Sequence, residues 1–236
     1  MATSAHVLGR AKSADIRLPD GRLIAVHIVG QDARTDIALL KAPAEFPVLD
    51  TAPPTALGAR VCAVGNQFGL GLNVTCGVVS AVNRSNAGFN LVEDFIQTDA
   101  SVNPGGSGGA LVDADSRLIG LVSSIFTKKS DANIGVNFAA SVALVMRVVH
   151  DLMDHGKVRH GNPGFELAPL TRAERRTAAG AAGLQAGDII AAVGARPVVL
   201  PSDVTAALYL LRPGDGVDIV FRRGKLEHRV RLVPRE

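Results

Sequence analysis

A serine in the middle of the chain has the surroundings of a possible nucleophile. Ser107 lies within the glycine run 105–109, after an Asn-Pro turn and before an apolar strand. Glycine allows backbone conformations closed to residues with a Cβ and lets the chain approach a ligand closely. The loop could therefore present an exposed hydroxyl for nucleophilic attack, although glycine- and serine-rich turns also build ordinary hairpins.

A serine nucleophile requires a base, and the base requires an acid that orients it, because an unassisted hydroxyl is weak near neutral pH. His6 is the candidate base. Asp36 is the preferred acid, because the apolar strand that follows it can bury its carboxylate beside the imidazole. Asp32 is the alternative acid, but it lies in the polar turn 30–32. His, Asp and Ser in this chain order form one of several arrangements that support serine hydrolysis.

Five short motifs follow one another between residues 3 and 140. They are Thr3-Ser4-Ala5-His6-Val7-Leu8, Asp36-Ile37-Ala38-Leu39-Leu40, Val64-Gly65-Asn66-Gln67-Phe68-Gly69-Leu70, the serine loop 97–112 and Gly135-Val136-Asn137-Phe138-Ala139-Ala140. In this order they resemble the motifs of HtrA/DegP-type serine proteases. The resemblance implies a mainly β fold, with a chymotrypsin-like double β-barrel followed by a small α+β PDZ-like domain.

The resemblance also implies roles for the candidate residues. Ser107 is the nucleophile, His6 the base and Asp36 the acid. The backbone N–H groups of Gly105 and Ser107, with Gly106 between them, form the oxyanion hole. Gly106 departs from the asparagine usual at this position and leaves the loop more freedom. We therefore expect the hole to depend on ordering by substrate or by neighbouring loops. The activity is then proportional to the fraction of molecules in which the hole is formed.

The substrate pocket is implied by the same resemblance. Ile134, Val136 and Phe138 line it, and they offer no acidic side chain to pair with a basic substrate. We therefore predict a preference for small or medium apolar side chains at the position before the scissile bond.

The elements that must position these residues are mostly strands. Strands are predicted at 15–18, 23–29, 60–65, 72–82 and 117–124. Ser141 is predicted to cap a helix that ends near Gly156, because apolar residues recur there at helical spacing. The polar segment 83–94 resembles the family's regulatory loop, and a mobile surface connection is an equal alternative.

Composition and resemblance divide the chain into three parts, which are a protease domain at 1–156, a linker at 157–162 and a PDZ-like domain at 163–236. PDZ domains bind an extended peptide at a sheet edge, so peptide C-termini are expected partners. The loop that holds the terminal carboxylate is matched by Asn162, Pro163, Gly164 and Phe165. Two features depart from the family pattern. Pro163 lacks an N–H group, and the segment 171–182 is too short for the additional strand and turn usual there.

His6 stands almost at the start of the chain. In the family, strands of the first barrel precede this histidine, so we expect an incomplete first barrel in an N-terminally truncated chain. The favoured function is a serine endopeptidase that hydrolyses unfolded or misfolded polypeptides in protein quality control, because His6, Asp36 and Ser107 are all present. The alternative is a non-cleaving protease-fold scaffold that binds polypeptide or C-terminal peptides.

Composition and charge argue against several other classes of function. The net charge is +3, and basic residues near the C-terminus alternate with apolar ones as on a solvated strand face, so nucleic acid is not an expected partner. No apolar run is long enough to span a membrane, and no signal peptide is recognised. No Cys/His cluster has metal-binding spacing, so neither metal nor cofactor is expected. The resemblance implies a periplasmic or cell-envelope setting and is compatible with a homo-oligomer.

The chain contains two cysteines. Cys62 and Cys76 flank the loop 65–72 at nearly symmetric distances, so a hairpin would bring them close. A disulfide is one alternative in an oxidising compartment. Two buried free thiols are the favoured prediction, because cysteine is often a plain core residue.

Overall fold

The structure is a computed structural model, and it describes residues 1–125, 134–159, 183–185 and 187–234. The chain forms two compact units, Met1–Val158 and Arg159–Glu236, which are described separately below. In the described ranges, no helix combines the length and the apolar character needed to cross a membrane.

The first unit begins with an open antiparallel sheet. Its strands are β1 (Ala2–Ser4), β2 (Ala14–Arg17), β3 (Leu23–Asp32) and β4 (Ile37–Lys41), in the order β1-β4-β3-β2. A one-turn helix, α1 (Ala5–Leu8), follows β1 directly. β2 and β3 are joined by a turn in which Asp20 accepts hydrogen bonds from the backbone and side chain of Arg22. β4 is one of the two inner strands of this sheet, and its residues from Ile37 to Leu40 are buried.

A closed six-stranded antiparallel barrel makes up the rest of the first unit. Its strands are β5 (Arg60–Gly65), β6 (Asn73–Arg84), β7 (Phe95–Thr98), β8 (Ala110–Asp113), β9 (Leu118–Ile125) and β10 (Asn137–Ser141), closed in the order β10-β7-β6-β5-β8-β9. Small and β-branched apolar side chains fill the interior, among them Val61, Val79, Ile119, Val122 and Ala139. One closed barrel and one open four-stranded sheet confirm the mainly β prediction.

The helix α2 (Val142–His155) follows β10 and packs against strands of both sheets, namely β3 and β4 on one side and β9 and β10 on the other. As predicted, the hydroxyl of Ser141 caps it by accepting the N–H of Leu144, and Gly156 ends it in a left-handed conformation. Its buried face carries an ion pair between Arg147 and Asp151, with 2.6 Å between Nη1 and Oδ2. The helix therefore fixes the open sheet against the barrel.

The preference for two free thiols is wrong, because Cys62 and Cys76 form a disulfide. The two residues are direct cross-strand partners in the β5–β6 hairpin. Directly opposite residues of an antiparallel pair hold their Cβ atoms within bonding reach of each other. The symmetric spacing around the loop was therefore the informative signal, and the frequency of buried free cysteines was not.

The second unit contains a smaller antiparallel sheet and one helix. Its strands are β11 (Ile189–Val193), β12 (Arg196–Pro197), β13 (Val217–Arg223) and β14 (Leu226–Leu232), in the order β12-β11-β13-β14, and its helix is α3 (Pro201–Tyr209). Val204 and Leu208 of the helix pack on Ile219 and Phe221 of the sheet. The predicted carboxylate loop, Asn162 to Phe165, lies outside the described residues.

One ion pair links the start of β11 to the end of β13. Arg223 donates two hydrogen bonds to the carboxylate of Asp188, at 2.8 and 2.7 Å, and a third to the carbonyl of Gly183 at 3.1 Å. The hydrogen bonds from Arg223 hold the pKa of Asp188 below its usual value.

Candidate active site

His6 and Asp36 are in direct contact. Asp36 Oδ2 lies 2.6 Å from His6 Nδ1, and Asp36 Oδ1 accepts the backbone N–H of His6 at 2.8 Å. The carbonyl of Asp36 also accepts the N–H of Ala5 at 3.0 Å. Because an ionised carboxylate only accepts hydrogen bonds, it favours the tautomer with the proton on Nδ1 and leaves Nε2 as the free acceptor. The imidazole is therefore oriented, while its side chain remains 53% exposed.

The backbone of Asp36 is in the left-handed region, with a φ of 60°. This conformation is uncommon for residues other than glycine, but aspartate and asparagine adopt it more readily than most. It ends the tight connection from β3 and turns the carboxylate toward α1. Asp32 has a different partner, since its Oδ2 accepts the hydroxyl of Thr35 at 2.7 Å. The structure therefore pairs Asp36, and not Asp32, with His6.

The segments that carry His6 and Ser107 lie side by side. Val122 on β9 provides one backbone carbonyl that accepts both the N–H of Gly108, at 2.8 Å, and the hydroxyl of Ser4, at 3.4 Å. Ser4 is two residues before His6, and Gly108 is one residue after Ser107. A Cβ at Gly108 would overlap the hydroxyl of Thr3, so only glycine permits this approach.

The hydroxyl of Ser107 donates a hydrogen bond to the carbonyl of Ser123 at 3.0 Å. Within the described ranges there is no hydrogen bond between this hydroxyl and His6. The histidine and the aspartate are thus already coupled, and the serine is beside them with its hydroxyl bonded elsewhere.

The predicted oxyanion residues form a tight turn. Gly105 has a φ of 90°, and a Cβ there would lie 2.5 Å from the carbonyl oxygen of Asn66. The N–H of Gly106 is bonded to the carbonyl of Asn103 at 2.9 Å. In the part of the chain that the structure describes, the N–H groups of Gly105 and Ser107 donate no hydrogen bond. These two donors are therefore available to a bound oxygen.

The three predicted pocket residues have different surroundings. Ile134 is 63% exposed and Val136 is half-buried. Phe138 is 5% exposed, and its ring packs against Phe95 and Phe89 with centroid distances of 5.6 and 5.5 Å. This aromatic packing buries the ring of Phe138.

Asn137 was missed by the sequence analysis. It lies on the opposite face of β10 from Phe138, is fully buried, and donates from Nδ2 to the carbonyl of Ala100 at 2.9 Å. Ala100 begins the segment that leads to Ser107. The alternation of side chains along a strand could have revealed this, because it places neighbouring residues on opposite faces.

Glu93 in the segment 83–94 was also missed. Its buried carboxylate accepts the backbone N–H groups of Ala87, Phe89 and Asn90, at 2.6, 2.6 and 3.0 Å. The segment in turn binds the connection before Asp36. Asn90 Nδ2 donates to the carbonyl of Thr35, and the N–H of Val92 donates to the carbonyl of Arg34. The acidic pair Glu93-Asp94 directly before a buried strand was the available signal.

A histidine oriented by an aspartate, next to a serine flanked by glycines on an antiparallel β scaffold, is typical of trypsin-like peptidases. A profile of the trypsin-like peptidase domain matches residues 1–121, about half of the chain. The structure resembles that of the HtrA-type protease AlgW with a tripeptide, with a TM-score of 0.77 and 33% identity, and the match covers 99% of this chain and 84% of that one. The chain therefore belongs to the HtrA-type proteases of the trypsin-like peptidase family.

Curated relatives agree with this assignment. The periplasmic serine endoprotease DegP of Salmonella typhimurium is 33% identical over 248 residues, which cover 95% of this chain and 52% of the relative. A probable DegP-like periplasmic serine endoprotease of Bartonella henselae is 34% identical over 250 residues, 97% of this chain and 49% of the relative. The chain thus spans about half the length of the curated relatives it matches.

Proposed function

We propose that this chain is a serine endopeptidase that hydrolyses unfolded or misfolded polypeptides. Ser107 is the nucleophile, His6 the general base and Asp36 the residue that orients His6. The observation that carries the proposal is the double contact of the Asp36 carboxylate with the ring and the backbone of His6. The names of the relatives, which are serine endoproteases, support the same chemistry.

The reaction begins when the hydroxyl of Ser107 leaves the carbonyl of Ser123 and donates to Nε2 of His6. Its oxygen attacks the peptide carbonyl while His6 takes the proton, and Asp36 stabilises the imidazolium that forms. The imidazolium then gives the proton to the leaving amine as the C–N bond breaks. Water repeats the sequence on the ester, with His6 again as base, and Ser107 is regenerated.

The tetrahedral oxyanion is bound by the N–H groups of Gly105 and Ser107. Both donors are without a hydrogen-bond partner in the described ranges, so they need not exchange an internal bond for the substrate oxygen. Donors held in advance cost no reorganisation when charge develops, which is why such sites supply a large share of catalysis.

A preference for small or medium apolar side chains before the scissile bond is retained, with Ile134 and Val136 as lining residues. We expect a peptide library to show Ala, Val or similar residues at this position, and a profile dominated by Arg or Lys would contradict the preference.

The setting of the enzyme is the cell envelope. The relatives are named periplasmic, and the Cys62–Cys76 disulfide suits an oxidising compartment. The residues from 163 to the C-terminus are a PDZ-like domain in this proposal, and its ligands are peptide C-termini. The four-stranded sheet with one helix supports that assignment.

Labelling with a fluorophosphonate, followed by mass mapping, tests the enzymatic proposal. The label should attach to Ser107 and disappear in the Ser107→Ala and His6→Ala variants. Ser80→Ala and His155→Ala, at exposed positions on β6 and α2, are the matched controls and should label as the parent does. A folded protein that takes no label would instead support the scaffold that binds polypeptide without cutting it.

A further inference from the structure

The turn that carries the oxyanion donors is attached to a second loop. This loop, residues 66–68, follows β5 in the disulfide-bonded hairpin. The N–H of Phe68 donates to the carbonyl of Pro104 at 2.7 Å, and the backbone of Gly105 packs directly on the carbonyl of Asn66. These contacts involve only backbone atoms of the two loops.

Gln67 adds side-chain contacts to this attachment. It is 5% exposed, donates from Nε2 to the carbonyl of Ser101 at 3.0 Å, and accepts from Asn103 Nδ2 at 2.7 Å through Oε1. A carbonyl can only accept, so the Ser101 contact fixes which end of the amide is nitrogen and leaves the oxygen for Asn103. The carbonyl of Asn103 in turn holds the N–H of Gly106.

Gln67 therefore bridges two points of the segment that enters the oxyanion turn. We propose that Gln67 is a positioning residue for the oxyanion hole, which acts through Ser101 and Asn103 and touches no reacting atom. The inference rests on the proposed function and adds a residue to it. Its physical reason is the freedom of the turn, because consecutive glycines without side chains lose more backbone entropy on ordering than other residues do.

The buried amide of Gln67 holds the entrance to the turn before substrate arrives. It therefore reduces the backbone entropy that the turn loses when substrate binds. Gly106 contributes no side chain that could do so from within the turn. The nearest side-chain atoms to a Cβ at this position would be those of Val102 and of Gln67 itself, at 3.4 and 3.5 Å. Gln67 thus provides from a neighbouring loop the restraint that the turn lacks.

The Gln67→Met variant in the full chain tests the proposal, because methionine keeps the length of the side chain and removes the amide. We expect kcat for an unfolded protein substrate to fall about 10- to 100-fold while KM stays within about twofold. Hydrogen exchange, followed by mass spectrometry, is the second readout. The amides of Phe68 and Gly106 should exchange about tenfold faster, as the loss of ordinary hydrogen bonds implies.

Thr75→Val is the matched control. Thr75 also donates its hydroxyl to the carbonyl of Ser101, but it makes no bond to Asn103. We expect the kcat of this variant to stay within about threefold of the parent, because the Ser101 carbonyl loses only one of its two hydrogen-bond donors. An equal loss in Thr75→Val and Gln67→Met would overturn the special role of the bridge.

Asn103→Ala breaks the same bridge from its other end and serves if Gln67→Met does not fold. Combined with Gln67→Met, it should lose little more activity than the worse single variant, because both remove one interaction. Additive losses contradict the proposal, and so does unchanged exchange at Gly106. If the parent itself takes no fluorophosphonate label, the enzymatic function fails, whereas the exchange experiment still decides whether Gln67 holds the turn.

Discussion

The imidazole half of the candidate site is held by a charged side chain, whereas the serine half is held by neighbouring backbone and one buried amide. Asp36 binds the ring and the backbone of His6 with its two carboxylate oxygens. Ser107 stands in a run of glycines, and its hydroxyl is bonded to the carbonyl of Ser123. The first half is therefore already paired, whereas the hydroxyl of the second half is bonded to a backbone carbonyl and not to His6.

The two halves therefore differ in how easily a change in their surroundings can alter activity. Charge-assisted hydrogen bonds are short and about twice as strong as neutral ones, so the His6–Asp36 pair is hard to disturb. The serine loop depends on neutral hydrogen bonds to the β5–β6 hairpin, and each of these contributes only about 1 kcal/mol net. Changes in the surroundings should therefore reach the nucleophile before they reach the base.

The largest expected effect comes from breaking the imidazole half. In Asp36→Asn, the amide can donate to Nδ1, which favours the tautomer with the proton on Nε2. His6 then cannot accept the proton of Ser107, so kcat/KM should fall by about 10³-fold or more. Steady-state hydrolysis of an unfolded protein measures the loss.

Asp32→Asn is the matched control for this change. Its amide oxygen can still accept the hydroxyl of Thr35, and among the described residues no hydrogen bond joins it to His6. We expect kcat/KM close to that of the parent. Comparable losses in both variants would contradict the distinction between an acid that orients the base and one that supports a turn.

A smaller effect is expected from opening the disulfide, which lies in the hairpin that supports the serine half. A dithiol reductant transfers two electrons and two protons to the Cys62–Cys76 bond and is itself oxidised to a disulfide. Because the bond closes a loop with a sequence separation of 14, its loss should lower the free energy of unfolding by about 3 kcal/mol. Urea denaturation with and without the reductant measures this.

Fluorophosphonate labelling before and after reduction tests whether the hairpin supports the serine half. The labelling is done without urea, at a temperature at which the reduced protein is still folded. The rate of labelling at Ser107 should fall after reduction, because the hairpin also carries the contacts to Pro104 and Ser101. The Cys62→Ala, Cys76→Ala double variant should label and unfold like the reduced protein, and the reductant should not change either result. A reduced protein of unchanged stability would contradict the prediction.

The sequence predicts those parts of the candidate site that depend on residue type, and it misses those that depend on which strands are neighbours. His6, Asp36 and Ser107 stand out because few side chains can act as base, orienting acid or nucleophile. Gln67 is an ordinary polar residue until β5 and β8 are paired and bring it beside Asn103. No pattern along the chain could have shown that contact.

Side-chain direction set a second limit on prediction. Phe138 is predicted in the pocket, and its ring lies in a cluster with Phe89 and Phe95 that the alternation along one strand does not reveal. Periodicity predicted the helix from Ser141 to Gly156 well, because caps and apolar spacing are local signals. The partner of the Ser107 hydroxyl, in contrast, depends on a single side-chain rotation, for which the sequence carries no signal.

The smallest expected effect lies outside the site and separates overall stability from site geometry. The hydrogen bonds from Arg223 lower the pKa of Asp188 in the folded chain. The stabilisation is therefore present above the unfolded pKa, about 4, and is lost as the pH falls toward the lowered folded value. Asp188→Asn should lower Tm by about 2–4 °C at neutral pH and flatten its decline between about pH 5 and 3. Thermal scans across this range measure both, and an unchanged slope would show that the pair adds nothing to folding.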